Sequence, residues 1–283
     1  MTGRRRLDVE LVRRGLVGSR EQAHAAIAAG DVLVGGAVAQ KPSRLIDAAE
    51  PVTVSAPPPR YVSRGGLKLE AALDRFQVDV TGRRALDAGA STGGFTDCLL
   101  QRGTASVVAI DVGRAQLHER VARDSRVDSR ERTNIRHLTL EQVGGAPFDL
   151  VVADLSFISL RTVAPVLLGP VAAAGADAIV LVKPQFEAGR RAVSAGHGVI
   201  RDPAIWSEAL LDVIGALTRQ GAAMMGLMVS PLTGADGNVE FLAHLEAHAD
   251  AHAVEHTPPS LAPAAAIAAA VSEASSRFGM DAG

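Results

Sequence analysis

One cysteine, Cys98, in 283 residues excludes an intrachain disulfide framework, and no Cys/His cluster has the spacing of a zinc site. That usage fits a cytoplasmic setting and predicts no metal. A long uninterrupted apolar run is also missing. The most hydrophobic region, Leu160 to Val182, is broken by Arg161, Pro165, Pro170 and Asp177, which argues against a membrane span. The amino terminus, Met-Thr-Gly-Arg-Arg-Arg, leads into an amphipathic pattern with no apolar stretch behind its charges, so a secretory signal is not expected. Strong charge of one sign is absent as well: the formal net charge of −2 argues against a uniformly basic nucleic-acid binder.

The distribution of charge says more than its sum. Residues 1–60 carry nine Lys/Arg against six acids, a surplus of three that leaves the remainder of the chain five acids in excess. With 47% hydrophobic residues the chain can bury one large core beside a smaller unit, so two domains are expected. In the first, Leu7, Leu11 and, less regularly, Leu16 mark one face of a helix that Gly15 or Gly18 can end. Ser19 with Gln22 forms a capping-box signature for a second helix, with Ala23, Ala26 and Ile27 on one face and Gly30 as its stop. Val32 and Val34, the Gly35-Gly36 dipeptide and Val38 predict a tight hairpin, and Val52 and Val54 one more strand. Ala56-Pro57-Pro58-Pro59 reads as a stiff linker, giving a domain over 1–59, a linker at 60–63 and a second domain over 64–283.

Arginine-bearing helices followed by a hairpin at Gly30-Asp31-Val32-Leu33-Val34-Gly35-Gly36 resemble the RNA-binding module named after protein S4 of the small ribosomal subunit. Arg4, Arg5, Arg6, Arg14, Arg20 and Lys41, with Arg64 at the opening of the second domain, are the candidate RNA contacts. A small solvated helical cap with basic surface residues is the alternative for this segment.

From residue 62 onward apolar strand-like runs alternate with helical patterns, which predicts an α/β fold with a parallel sheet covered on both faces. The runs are 84–88, 106–110, 150–153, 179–182 and 223–229, with a last strand expected around 239–242 and a C-terminal helix over 264–276. Residues 126–130 are polar for a strand near the sheet edge, so that element is expected to be short. After the first run, Asp87-Ala88-Gly89-Ala90-Ser91-Thr92-Gly93-Gly94-Phe95-Thr96 reads as strand end, Gly-rich turn and helix start. Gly89 permits the turn, Gly93 and Gly94 allow close approach of a ligand, and the helix start offers free N–H groups. A dinucleotide loop needs Gly-x-Gly-x-x-Gly. The pattern here, Asp-x-Gly-x-x-x-Gly-Gly, is that of a methyltransferase, and Asp111, about twenty residues on, stands where an acid accepts hydrogen bonds from ribose hydroxyls. A plain structural turn followed by a surface Asp is the alternative.

Four polar residues fall where chemistry is expected in a doubly wound fold: Asp154 and Lys183 at strand ends, Glu240 at the edge of the last strand, and Lys68 in the segment that opens the domain. Each alone reads as a solvated side chain leaving an element. Together they suit activation of a weak hydroxyl nucleophile, with Lys183 as base and the carboxylates holding the ammonium groups.

A Lys-Asp-Lys-Glu tetrad behind this loop resembles the ribose 2′-O-methyltransferases of the heat-shock RNA methyltransferase type. Over nearly its full length the chain is similar to the TlyA, or haemolysin A-like, rRNA methyltransferases, on residues 61–69, 86–96, 131–134, 154–160 and 182–187. The resemblance implies a Rossmann-like class I methyltransferase domain with a mostly parallel seven-stranded sheet behind a small α+β S4-like domain. It implies S-adenosylmethionine as cofactor, bound by Asp87, Gly89, Ala90, Ser91, Gly93, Gly94, Phe95, Thr96, Asp111, Val112, Asn134, Asp154 and Leu155, and Lys68, Asp154, Lys183 and Glu240 as the catalytic set. It also implies cytidine 2′-O-methylation of ribosomal RNA within ribosomal subunits and a link to capreomycin sensitivity, with a monomer the expected form. Arg60-Tyr61 departs from the family, which more often has Trp after the arginine. Other methyltransferase classes fit poorly: no Asp/Asn-Pro-Pro-aromatic turn is present for exocyclic amines, and Cys98 lies inside the loop's helix. A silent RNA-binding factor and a membrane-active haemolysin are the remaining alternatives, the latter without the apolar segments it needs.

Overall fold

The computed structural model describes residues 4–55, 59–188, 198–247 and 262–279. The chain divides into two compact units, Met1–Arg60 and Tyr61–Gly283. Pro57 and Pro58 of the expected linker lie outside the described residues.

In the first unit, α1 (Leu7–Arg13) and α2 (Arg20–Ala28) pack beside two small antiparallel sheets. Ser19 caps α2 by accepting from Gln22 N, and the Gln22 side chain accepts in return from Gly18 N, one residue before the position a capping box uses. The hairpin β2 (Val32–Val34) to β3 (Ala37–Val38) turns at Gly35 and Gly36, both at positive φ, as a two-residue turn of primed type requires. β5 (Val52–Val54) completes this sheet, and Leu7, Leu11, Ala23, Ile27, Val32 and Val34 form its core. Leu16 lies beyond the end of α1 and is exposed. A second pairing, β1 (Arg5–Arg6) with β4 (Leu45–Ile46), has no counterpart in the sequence reading; two residues are too few to show a period.

The second unit holds a seven-stranded sheet. Its strands are β6 (Arg84–Ala88), β7 (Ser106–Asp111), β8 (Val127–Glu131), β9 (Phe148–Ala153), β10 (Ala172–Val182), β11 (Ala223–Val229) and β12 (Phe241–Glu246), in the order β11-β12-β10-β9-β6-β7-β8. Only β12 runs against its neighbours. Side chains alternate between faces, and both faces are covered, so buried strands read as continuous apolar runs. Leu86, Val108, Val151 and Val180 pack with α6 (Leu160–Leu167), α8 (Pro203–Thr218) and α9 (Pro263–Phe278). Ala85, Val107, Val152, Ile179 and Leu181 pack with α3 (Gly65–Phe76) and α4 (Gly94–Gln101), where Cys98 is buried. Among the described residues the other α-helices are α5 (Glu119–Ala122) and α7 (Pro184–Glu187), beside two short 3-10 turns at Ile135–His137 and Glu141–Val143.

Two expectations need correction. The last strand begins at Phe241, later than 239–242, and it is inserted between β10 and β11. The polar strand β8 is five residues long, as long as β6, and tolerates exposed Asp128, Ser129 and Arg130 because it is the sheet edge. No helix among the described residues is long and apolar enough to cross a membrane.

Candidate active site

β6 and β7 deliver the Gly-rich loop and Asp111 to one end of the sheet. Gly89 stands at φ 87°, and a Cβ there would lie 2.5 Å from Asp154 O, so the loops after β6 and β9 touch backbone to backbone. Gly93 is at φ 91°, with a hypothetical Cβ 2.8 Å from Leu117 Cδ1. Asp111 accepts from Ser91 N at 2.9 Å and Gly113 N at 2.7 Å, which still leaves each of its oxygens a free acceptor direction. An open cleft of about 230 Å³ lies beside it, lined by Ala90, Ser91, Asp111, Gly113, Gln116, Leu117 and Glu131 among others. Its acceptor carboxylate, the small residues Ala90, Ser91 and Gly113, and the apolar Leu117 fit the adenosine end of a cofactor.

The residues of the expected cofactor set differ in how they are placed. Asp87 is wholly buried and accepts from Thr96 Oγ1 at 2.6 Å; burial pushes its carboxyl up to about 7, against the Thr96 bond and with help from nearby Asp154. Asp87 and Thr96 therefore brace the loop from beneath instead of facing the cleft. Phe95 is buried too. Asn134 is exposed, and its side-chain oxygen accepts from Arg136 N at 3.0 Å. Val112 is exposed, and Leu155 is half-buried against Gly89. Gln116 and Leu117 were missed because the turn after β7 has no motif, and Glu131, which ends β8 and opens the 131–134 stretch, was not named as a site residue. Glu131 accepts from Ala115 N at 2.6 Å and thereby holds that turn.

The four catalytic candidates meet as two ion pairs. Lys68 on α3 donates to Glu240 just before β12, both side chains being buried. Lys183, leaving β10, lies 2.6 Å from Asp154 Oδ1 and donates to Ser156 Oγ at 3.0 Å. Because β12 is antiparallel, its start pairs with the end of β10, Phe241 beside Val182, and this brings Glu240 to the same sheet edge as Lys183. Burial pushes the Glu240 carboxyl up; the Lys68 ammonium opposes this and the Lys183 charge also reaches it, so the two pairs form one electrostatic unit. Asp154 is the most accessible of the four carboxylate and ammonium groups. Phe157, just beyond it, was not singled out from sequence: it stands at φ 64°, is 91% exposed, and faces Phe186 with ring centroids 5.2 Å apart.

In the first unit the cationic candidates separate into two groups. Arg4, Arg5 and Lys41 are exposed. Arg6, Arg20 and His24 all reach the buried carboxylate of Asp8 while remaining about half exposed. Arg14 needs correction as an RNA contact. It is mostly buried, pairs with Glu10, and donates to Asp47 O, Ala48 O and Glu50 O, tying α1 to the segment between β4 and β5. Arg64, in the second unit, is exposed just before α3.

A mostly parallel sheet, a Gly-rich turn ending β6 and two Lys/carboxylate pairs are the features of a methyltransferase fold, and the FtsJ-like methyltransferase profile matches residues 61–247. The S4 domain profile matches residues 5–52. The chain belongs to the TlyA family: it is 50% identical over 87% of its length, and 91% of the relative's, to the 16S/23S rRNA (cytidine-2′-O)-methyltransferase TlyA of Mycobacterium tuberculosis. It is 38% identical to hemolysin A of Brachyspira hyodysenteriae, covering 84% of this chain and 98% of that one. A solved structure from Streptococcus thermophilus, recorded under the name hemolysin, superposes with a TM-score of 0.76 at 37% identity, covering 99% and 98% of the two chains.

Proposed function

We propose that this protein transfers a methyl group from S-adenosylmethionine to a cytidine ribose 2′-hydroxyl in ribosomal RNA, with residues 1–59 binding RNA, 60–63 linking and 64–283 catalysing. The observation that carries this is the convergence of the Lys68–Glu240 and Lys183–Asp154 pairs beside the Gly-rich loop. When bound, the cofactor supplies a methyl group already activated on a sulfonium. The protein's task is then alignment and handling of one proton.

In this reading Gly89, Ala90, Ser91, Gly93 and Gly94 cradle the cofactor and Asp111 accepts from its ribose hydroxyls. Lys183 Nζ meets the substrate 2′-hydroxyl and handles its proton, because its partner Asp154 lies toward the opening while Lys68 is clamped beneath by buried Glu240. Lys68 and Glu240 keep the Lys183–Asp154 pair in a dry, charge-balanced setting where electrostatic contacts are strong. In the first domain the exposed heads of Arg6 and Arg20, with Arg4, Arg5 and Lys41, neutralise phosphates, as Arg64 does in the second. The protein acts as a monomer in the cytoplasm on RNA within ribosomal subunits.

The test is transfer of labelled methyl from S-adenosylmethionine to unmodified ribosomal subunits by the native protein and by Lys183→Ala, with mapping of the labelled position. Label on a ribose 2′-oxygen, reduced about 10²- to 10⁴-fold in the variant, is the expected result. No label on either subunit while the cofactor still binds would favour a silent RNA-binding factor.

A further inference from the structure

The loops that deliver Asp154 and Lys183 leave neighbouring strands, and a parallel sheet does not by itself fix two such loops to one another. Glu187 does. It lies in α7, one turn beyond Lys183, and its side chain is buried. One carboxylate oxygen accepts from Ser159 Oγ at 2.5 Å and the other from Leu160 N at 2.7 Å. Leu160 N belongs to the first turn of α6, where an N–H has no partner within the helix and an anion is favoured. Arg161 closes the arrangement from outside: its Nε is 3.5 Å from Glu187 Oε2, Nη2 donates to Glu187 O at 2.9 Å, and Nη1 donates to Asp212 Oδ2 at 2.9 Å.

The result is a closed ring with two rungs. Asp154 and Lys183 meet at one rung, Ser159 and Glu187 at the other, and the strands between them are the loops 154–159 and 183–187. Lys183 to Ser156 and the Phe157–Phe186 ring contact lie inside it. Burial pushes the Glu187 carboxyl up, against the pull of Ser159, Leu160 N and Arg161, so the group is held by local bonds in a place unfavourable for its charge. A carboxylate kept there against desolvation points to geometry as its role.

We propose that Glu187 is a positioning residue for methyl transfer: it sets the separation and angle of Lys183 and Asp154 without touching substrate or cofactor. The inference rests on the assignment of those two as the reacting pair. Loss of the second rung lets the loops drift, and a misplacement of about 1 Å costs about 100-fold in rate. Glutamine keeps an acceptor for Leu160 N and an amide that can donate to Ser159 Oγ, so it preserves the rung.

The experiment measures single-turnover methyl transfer to ribosomal subunits by Glu187→Ala, Glu187→Gln and Ser159→Ala, with separate Kd values for S-adenosylmethionine and for the subunits. Glu187→Ala is expected to lose about 100-fold in rate with both Kd values within about threefold of the native protein, and Glu187→Gln to recover to within about threefold. Ser159→Ala removes one bond of two and is expected to lose about tenfold, which carries the test should Glu187→Ala fail to fold. An unchanged rate in Glu187→Ala or Ser159→Ala overturns the proposal. So does an equal defect in Glu187→Gln and Glu187→Ala, which would make charge the cause, or a rise of both Kd values in step with the rate loss, which would mean general loosening. If Lys183→Ala retains the native rate, the catalytic assignment falls on its own; an impaired Lys183→Ala beside an unaffected Glu187→Ala removes the positioning role alone.

Discussion

Asp8 and Glu10 in the first unit and Glu240 and Glu187 in the second are buried in opposite ways, while Asp177 of the second unit, held by Arg83 and His244, behaves like the first pair. In the first, Asp8 and Glu10 are buried on α1 and each is met by several cationic groups: Arg6, Arg20 and His24 around Asp8, Arg13 and Arg14 around Glu10. The Arg6 hydrogen bonds, with those of Arg20 and His24, hold the Asp8 carboxyl far below the usual carboxylate range, and Arg13 with Arg14 brings Glu10 to about 2. In the second, Glu240 shares its burial with a single equally buried lysine, and Glu187 with one hydroxyl, one N–H and an arginine at 3.5 Å. Both are pushed up by desolvation. The number of charged donors per carboxylate decides the sign. Several guanidinium groups around one carboxylate outweigh desolvation; one buried partner does not.

The strongest way to break this contrast is to remove a partner on the side where desolvation dominates. Lys68→Ala leaves Glu240 buried without its cation and should destabilise the catalytic unit by about 3 kcal/mol in guanidinium unfolding at pH 8. Because the Glu240 carboxyl is already raised, lowering the pH to 5 neutralises it more readily and should shrink the defect; a defect equal at both pH values would show that water reaches the carboxylate. Acidification of the native protein should separate the units next. Carboxyls held below their ordinary values, 3.8 for Asp and 4.5 for Glu, stabilise above those values and lose that effect as pH falls toward about 2, so the first unit should melt first. Raised carboxyls such as Glu240 carry the opposite sign. Amide NMR signals that disappear together in both units between pH 4 and pH 2 would contradict this.

Smaller effects sharpen the comparison within the first unit. Arg14→Ala should lower its stability by about 1–2 kcal/mol, since three backbone carbonyls and Glu10 lose their donor, while the salt dependence of RNA binding stays as it is. Arg20→Ala should do the reverse: roughly unchanged stability and a log–log salt slope reduced by about 1 from a native value of about −3 to −4. Identical slopes for the native protein and Arg20→Ala would exclude a phosphate contact by that arginine.

Most of the fold was legible because its strands are buried on both faces and therefore apolar without interruption, as at residues 106–110 and 150–153. The placement of β12 was not. Its run of Phe241, Leu242, Ala243 and Leu245 reads as any buried strand, and nothing local tells an antiparallel inner strand from an edge. The Gly-rich loop was legible through Gly89 and Gly93, whose positive φ values only glycine tolerates readily. The cleft's far wall at Gln116 and Leu117 was not, because a turn held by isolated side-chain bonds from Asp111 and Glu131 leaves no periodic pattern. Arginines looked alike in sequence. Whether a guanidinium is turned inward, as at Arg14, depends on carbonyls more than thirty residues away.

The insertion of β12 has a further meaning for synthesis. Lys68 and Glu240 are 172 residues apart, and the strand that follows Glu240 slots between two strands made before it. At a ribosomal pace of roughly 5–20 residues per second, Lys68 waits on the order of 10–30 s for its partner. During that interval the amino-terminal unit, a compact body formed by the first 60 residues, can already be folded. On the proposed reading, a nascent chain of this protein would hold its RNA-binding unit well before its catalytic pairs, and the Lys68–Glu240 pair forms only once synthesis has passed β12.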